Sequence, residues 1–138
     1  MDMHETEVSF DFLGCTFQRT KRGLIRRFVR EKSKRSLRAR IKKITRRTNQ
    51  HSMEVIIAQT TPILKGWFEY FCHAHSNTPK EIDGWVRMRL RSILRKRDKR
   101  RGAGRGWDHR RWPNIYFEKL GYFSLEVALA EKKSLLKV

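Results

Sequence analysis

The sequence predicts a mainly α-helical fold: a bundle of three to five helices led by a short N-terminal β-hairpin. Three observations predict it. From Ser33 onward apolar residues recur at i, i+3, i+4 and i+7, the spacing of a helix with one buried face. Two Thr-Pro pairs, Thr61-Pro62 and Thr78-Pro79, have the form of a helix start: a capping hydroxyl, then a residue whose missing N–H costs nothing there. Before Ser33 the pattern is closer to strand, with Phe10 and Phe12 on one face and a turn-forming stretch at Arg19–Gly23. The chain has 138 residues, 38% of them hydrophobic and 11% aromatic, enough for one domain with a core and too apolar for a disordered polycation.

Taken in order, residues 1–8 form a lead-in and residues 9–30 the hairpin, with Leu24, Ile25, Phe28 and Val29 apolar in its second strand. Residues 31–97 make the helical bundle. Its first helix starts at a Ser33 cap, carries Leu37, Ile41, Ile44 and Thr48 on its core stripe, and ends at Asn49. Its outer side holds Lys34, Arg35, Arg38, Lys42, Lys43, Arg46 and Arg47. Solvated helices usually alternate acids with bases to gain i,i+4 attraction; residues 21–47 hold fourteen Lys/Arg and one acid, Glu31, so like charges repel along this helix. That pattern points to phosphate binding.

Ser52 caps a short helix, Met53–Gln59, which breaks at Pro62 before the central Thr61–Cys72 helix. There Ile63, Trp67, Tyr70 and Phe71 share one face, and Gly66 in the middle implies close approach of another backbone. The next helix spans about Lys80–Arg97. Ile82, Trp85, Val86, Leu90, Ile93 and Leu94 line its core side; Arg87, Arg91, Arg95 and Lys96 line the other. Residues 98–138 comprise a glycine-rich basic loop and short helices. Trp107 and Trp112 interleave with Arg110 and Arg111, which suits either base stacking or packing. A helix near Pro113–Leu120 ends at Gly121, and Ser124 caps a last helix carrying Leu125, Ala128 and Leu129.

The charge bounds the function. Thirty-three Lys+Arg against fourteen Asp+Glu give +19, a self-repulsion that a polyanion would relieve. Nucleic acid is the first candidate. An anionic membrane surface is the second, but no apolar run reaches the roughly 18–20 residues of a span. The acidic N-terminus has no signal-peptide layout, and Cys15 and Cys72 make no disulfide framework. The expectation is a cytoplasmic protein associated with nucleic acid.

No set of residues announces catalysis, and none announces a cofactor. Cys72, His73 and His75 cluster without a second pair at zinc spacing. There is no nucleophile elbow, no adjacent Asp-Asp pair for two-metal chemistry and no phosphate-cradling Gly-Lys-Ser/Thr loop. Asp108-His109 is a fragment of a nuclease-like pattern lacking the further ligands. No catalytic or metal-ligating residue is expected.

In order along the chain stand Phe10-Asp11-Phe12-Leu13-Gly14, Ser33 to Ile41, Pro62-x-Leu64-Lys65-Gly66-Trp67-x-x-Tyr70-Phe71 and Asp83-x-Trp85-x-Arg87-x-Arg89-Leu90-Arg91. Arg111-Trp112-Pro113-Asn114 follows, then Phe117, Gly121 and Phe123-Ser124-Leu125. Together they resemble the maturase-specific domain, or domain X, of group II intron reverse transcriptase/maturases, over about residues 9–130. The resemblance implies a thumb-like helical bundle joined to a polymerase palm through residues 9–30. It implies binding of group II intron RNA to assist splicing or mobility. A DNA target, an RNA/DNA duplex and a separately encoded reverse transcriptase subunit are further partners it allows. Lys65, Gly66, Trp67, Tyr70 and Phe71 match the central motif and Trp85, Arg87 and Arg89 the next helix, while Arg38, Lys42 and Arg46 match a cationic tendency.

The polymerase domain with its Tyr-x-Asp-Asp carboxylates would precede Phe10, where only nine residues stand, and no endonuclease segment follows Val138. The expectation is therefore no enzyme but an RNA-binding module: a stand-alone remnant, one piece of a split maturase or an excised segment. Lys34, Arg35, Arg38, Lys42, Arg46, Lys65, Arg87, Arg91, Arg95, Lys96, Arg110 and Arg111 are its candidate RNA contacts. A non-specific basic nucleic-acid binder is the alternative, ahead of a metal-dependent nuclease or an inert product.

Overall fold

Helix dominates the structure, a computed structural model that describes residues 9–12, 15–19, 25–29, 31–71, 78–100 and 106–136. Six helices are seen among the described residues: α1 (Glu31–Ile44), α2 (Met53–Phe71), α3 (Thr78–Arg97), α4 (Asp108–Arg111), α5 (Asn114–Lys119) and α6 (Leu125–Leu136). The two-stranded hairpin expected over residues 9–30 is not supported. The backbone there runs as three short antiparallel segments, β1 (Ser9–Phe12), β2 (Cys15–Arg19) and β3 (Ile25–Val29), in the order β1-β2-β3. Phe12 pairs with Cys15 and Ser9 with Gln18 in antiparallel register, where a single strand is expected. The expected turn at 19–23 falls largely outside the described residues.

α1 begins two residues before the expected cap, and Ser33 lies within its first turn, where Lys34 Nζ reaches Glu31 Oε1 at 3.2 Å. Its buried line is Leu37, Ile41 and Thr45, not Thr48, which is exposed. The helix stops because Asn49 turns back on it. The Asn49 amide donates to the Ile44 carbonyl at 2.7 Å, and its Oδ1 accepts from the His51 N–H at 2.9 Å. Ser52 then caps α2 as expected, its hydroxyl accepting from the Val55 N–H at 3.3 Å.

The expected break at Pro62 is absent: α2 is one helix of 19 residues with Pro62 inside it. Proline removes one i→i−4 hydrogen bond without ending a helix whose neighbouring turns are held by packing. Here Ile56, Ile57 and Thr60 before Pro62, and Leu64 and Phe68 after it, are buried against one core. The Thr60 and Thr61 hydroxyls both donate to the Ile57 carbonyl, at 2.7 and 3.0 Å. The core line is therefore shifted from the expected aromatic stripe. Ile63 and Trp67 pack at its flank, Tyr70 is 58% exposed, and only the backbone of Phe71 is described. Gly66 is exposed, and a methyl group built on it meets nothing within 4 Å, so no backbone among the described residues approaches it.

α3 runs in the same direction as α1, because contacts between them rise together: Arg38 with Trp85, Thr45 with Arg89, Asn49 with Arg97. Ile82, Val86, Leu90 and Ile93 bury its core side. α5, α6 and the turn between them close the same core with Phe117, Tyr122 and Leu125, and Phe123 meets Phe68 edge-on at 6.1 Å between centroids. Each fully buried isoleucine or leucine stabilises by about 1.5–3 kcal/mol. α5 ends as expected at Gly121, whose φ of +98° favours glycine. The Tyr122 N–H bonds back to the Phe117 carbonyl at 2.9 Å.

Candidate nucleic-acid interface

The apolar side of α1 is so narrow that its cations have little choice but to face outward. Lys32, Arg35, Arg40, Lys42 and Lys43 on the helix, and Arg46 and Arg47 just past it, are exposed. The only acid in the stretch, Glu31, sits at the far end beside Lys34. A helix C-terminus normally presents bare carbonyls and a partial negative charge, which would repel phosphate. In this chain several of them, and others just past the helix end, are covered. Arg89 donates to the Thr45 hydroxyl at 2.7 Å, the Thr45 carbonyl at 3.2 Å and the Lys42 carbonyl at 3.5 Å. Arg97 donates to the Asn49 carbonyl at 3.1 Å and to the His51 carbonyl. Burial lowers the pKa of the Arg89 guanidinium below its ordinary value.

Beyond that turn opens a cleft of about 890 Å³ between α1 and α2. Lys43, Arg46, Thr48, Asn49, Gln50, His51, Gln59 and Pro62 line it, with Ile44 behind them and no carboxylate. Lys96, Arg97, Lys99 and Arg100 at the end of α3 are exposed too, on the element that Arg97 ties to the turn.

The remaining candidates divide. Arg35, Lys42, Arg46 and Lys96 are exposed, as is Lys65, whose Nζ lies 5.6 Å from the Phe123 ring. Lys34 and Arg38 are half-buried, Arg38 with its guanidinium 5.9 Å from the Trp85 ring. Arg89 approaches the same ring at 5.4 Å, so Trp85 is a packing residue between two guanidiniums. Arg110 is exposed over Trp107 at 4.7 Å, and Trp107 itself is 71% exposed. Arg111 lies 4.5 Å over the half-buried Trp112 and is ion-paired with Asp98.

Arg87 and Arg91 are corrections: both are buried and neither reaches the outer basic surface. Arg91 Nε donates to the Trp112 carbonyl at 2.9 Å and Nη2 to Asn114 Oδ1 at 2.8 Å, with Phe117 beneath at 5.3 Å. Burial lowers its pKa, neighbouring Arg87 lowers it further, and Asp108 opposes both. Arg87 packs over Tyr122 at 5.5 Å and lies 3.9 Å from Asp83. Arg95 is partly buried, bound to the fully buried Asp108 at 2.9 Å. The reason is geometric: α3 is wrapped by α4–α6 on the side that periodicity alone assigns to solvent, and planar guanidiniums fill that contact where lysine would not.

Asp83 enters the sequence reading as part of a motif, without a role, yet it organises this contact. Its carboxylate, fully buried, accepts from the Tyr122 hydroxyl at 2.9 Å, the Ser124 hydroxyl at 2.8 Å, and the N–H groups of Leu125 at 3.0 Å and Glu126 at 2.9 Å. It caps α6 from 42 residues away. Burial, then the charge and hydrogen bond of Asp83, raise the Tyr122 phenol well above its usual range. The available signal was an acid between Ile82 and Trp85, four residues before Arg87. The cleft side chains Gln50, His51 and Gln59 are missed as well, since neutral polar residues between helices carry no periodic signal.

Among the described residues no three of His, Cys, Asp and Glu come together to hold a metal ion, and no helix is long and apolar enough to cross a membrane. Asp108 is taken up by Arg95, while His73 and His75 lie outside the described residues. The family model for the group II intron maturase-specific domain matches residues 34–116, more than half of the chain. No curated protein matches it.

Proposed function

Since the chain belongs to the group II intron maturase-specific domain family, we propose that it binds group II intron RNA and assists splicing by holding the folded RNA. The family domain is distinct from the polymerase domain. The mechanism is non-covalent: lysines and arginines neutralise phosphates, groove shape and 2′-OH groups give preference, and binding energy stabilises the active RNA fold. One observation carries this reading. Lys32, Arg35, Arg40, Lys42, Lys43, Arg46 and Arg47 form a continuous exposed cationic face whose nearest carbonyls are covered by Arg89 and Arg97.

The test is a titration of the full chain against a folded group II intron and a size-matched structured RNA, in competitor tRNA at two salt concentrations. A preference for the intron that survives competitor, with affinity falling steeply with salt, is the expected result. Equal binding to intron, unrelated RNA and duplex DNA would leave only a non-specific basic protein. A dissociation constant indifferent to salt would refute phosphate binding altogether.

A further inference from the structure

The cleft between α1 and α2 carries more than charge. Lys43 and Arg46, three residues apart, supply cations on one side, and Gln59 and Pro62, three residues apart on α2, supply an amide and a flat apolar ring on the other. Thr48, Gln50 and His51 lie on the turn between. All of these side chains are exposed, and no hydrogen bond or ion pair within the protein engages them among the described residues. Asn49, in their midst, does the reverse. Both ends of its amide are spent on the turn, and Arg97 bonds the Asn49 carbonyl, so the turn between the walls is held before anything binds.

A duplex RNA backbone needs only cations from such a surface. It would leave Gln50 and Gln59 with donors and acceptors facing water and the concave space unfilled. Unpaired nucleotides differ, because their bases splay out of the helix and offer a flat face and a hydrogen-bonding edge. A glutamine amide presents a donor beside an acceptor, which matches such an edge bidentately. The volume lies within the roughly 300–1,000 Å³ of small-molecule sites. Resting on the RNA-binding reading above, we infer that this cleft takes one extruded, unpaired nucleotide of a structured RNA. Lys43 and Arg46 hold its phosphate, Pro62 packs against the base, and Gln50 and Gln59 read the base edge.

The experiment compares two hairpin RNAs of equal length, one fully paired and one with a single-adenine bulge, by fluorescence anisotropy with the full chain. The probes are wild type, the double variant Gln50→Ala/Gln59→Ala and the double variant Lys43→Ala/Arg46→Ala, each checked for helicity by circular dichroism. Wild type should favour the bulged RNA about tenfold, the scale of one well-made pair of hydrogen bonds to a base. The glutamine variant should lose that preference to within about twofold while keeping its affinity for the paired hairpin. The lysine/arginine variant should bind both RNAs more weakly. A bulge preference that survives loss of both glutamines, or a wild type that binds both hairpins equally, overturns the cleft assignment and leaves RNA binding standing. Wild-type binding to neither RNA overturns both.

Discussion

Replacing Asp83 with alanine should be among the most damaging single substitutions in the described fold. The carboxylate is fully buried and receives four hydrogen bonds, two from hydroxyls and two from the first N–H groups of α6. Alanine leaves the Tyr122 and Ser124 hydroxyls in the core without their acceptor and takes two capping bonds from α6, which keeps the bond from the Val127 N–H to the Ser124 hydroxyl at 3.3 Å. It also removes the carboxylate that lies 3.9 Å from Arg87, itself buried. Removing one partner of a buried, hydrogen-bonded charge costs about 3–5 kcal/mol, and loss of a helix cap alone about 1 kcal/mol. These costs overlap, so about 4 kcal/mol is expected, a large part of the 5–15 kcal/mol that holds a typical domain together. Asp83→Asn should cost less, because one oxygen still accepts, but its NH₂ faces donors. Urea denaturation followed by tryptophan fluorescence and circular dichroism measures the loss. A cost below about 1 kcal/mol for Asp83→Ala would mean that the network is a by-product of packing, and would refute its role as the organiser of the α3–α6 contact.

Gly66→Ala should stabilise the chain by up to about 1 kcal/mol, since the added methyl meets nothing and the helix gains propensity; a midpoint shift in the same denaturation shows it. Arg91→Ala and Lys43→Ala should separate: the first lowers stability by about 3 kcal/mol or more because Trp112, Asn114 and Phe117 lose their partner, whereas the second changes stability by less than about 0.5 kcal/mol. In RNA titrations the order reverses, with Lys43→Ala reducing the salt slope by about 1. Tyr122 supplies a pH test. Its phenol titrates higher in the folded chain than the ordinary 10.0, so its contribution is intact below pH 10 and is lost as pH rises through the folded value. Wild-type stability should therefore fall more steeply above pH 10 than that of Tyr122→Phe, and parallel profiles would contradict the burial of the phenol.

What could be read from the sequence is what local physics decides. The apolar periods of Leu37-Ile41 and Ile82-Val86-Leu90-Ile93, the Ser52 cap and the Gly121 stop all depend on residues within a turn of each other. The stretch around Pro62 failed because a proline's local preference is weaker than packing on both sides of it. Arg87 and Arg91 failed for a related reason. Helical periodicity says which residues share a face, not how many faces a neighbour will cover, and α4–α6 cover a second face of α3. The cationic side of α1 was legible because almost nothing apolar competes with it, while the cleft beside it was not, since it exists only once Asn49 folds the chain back on Ile44.

The guanidiniums held within the fold also bear on how this chain can drift. A change from arginine to lysine keeps the formal charge, and on the outer face of α1 it should pass almost unnoticed. At Arg89 and Arg91 it should not, because each guanidinium sends bonds to two residues or groups at once and lies within 5.4 Å of a ring centre. Codon bias toward lysine would thus be free to rewrite the exterior of the domain and be halted at its interior, leaving arginine in descendants as a record of packing and not of binding.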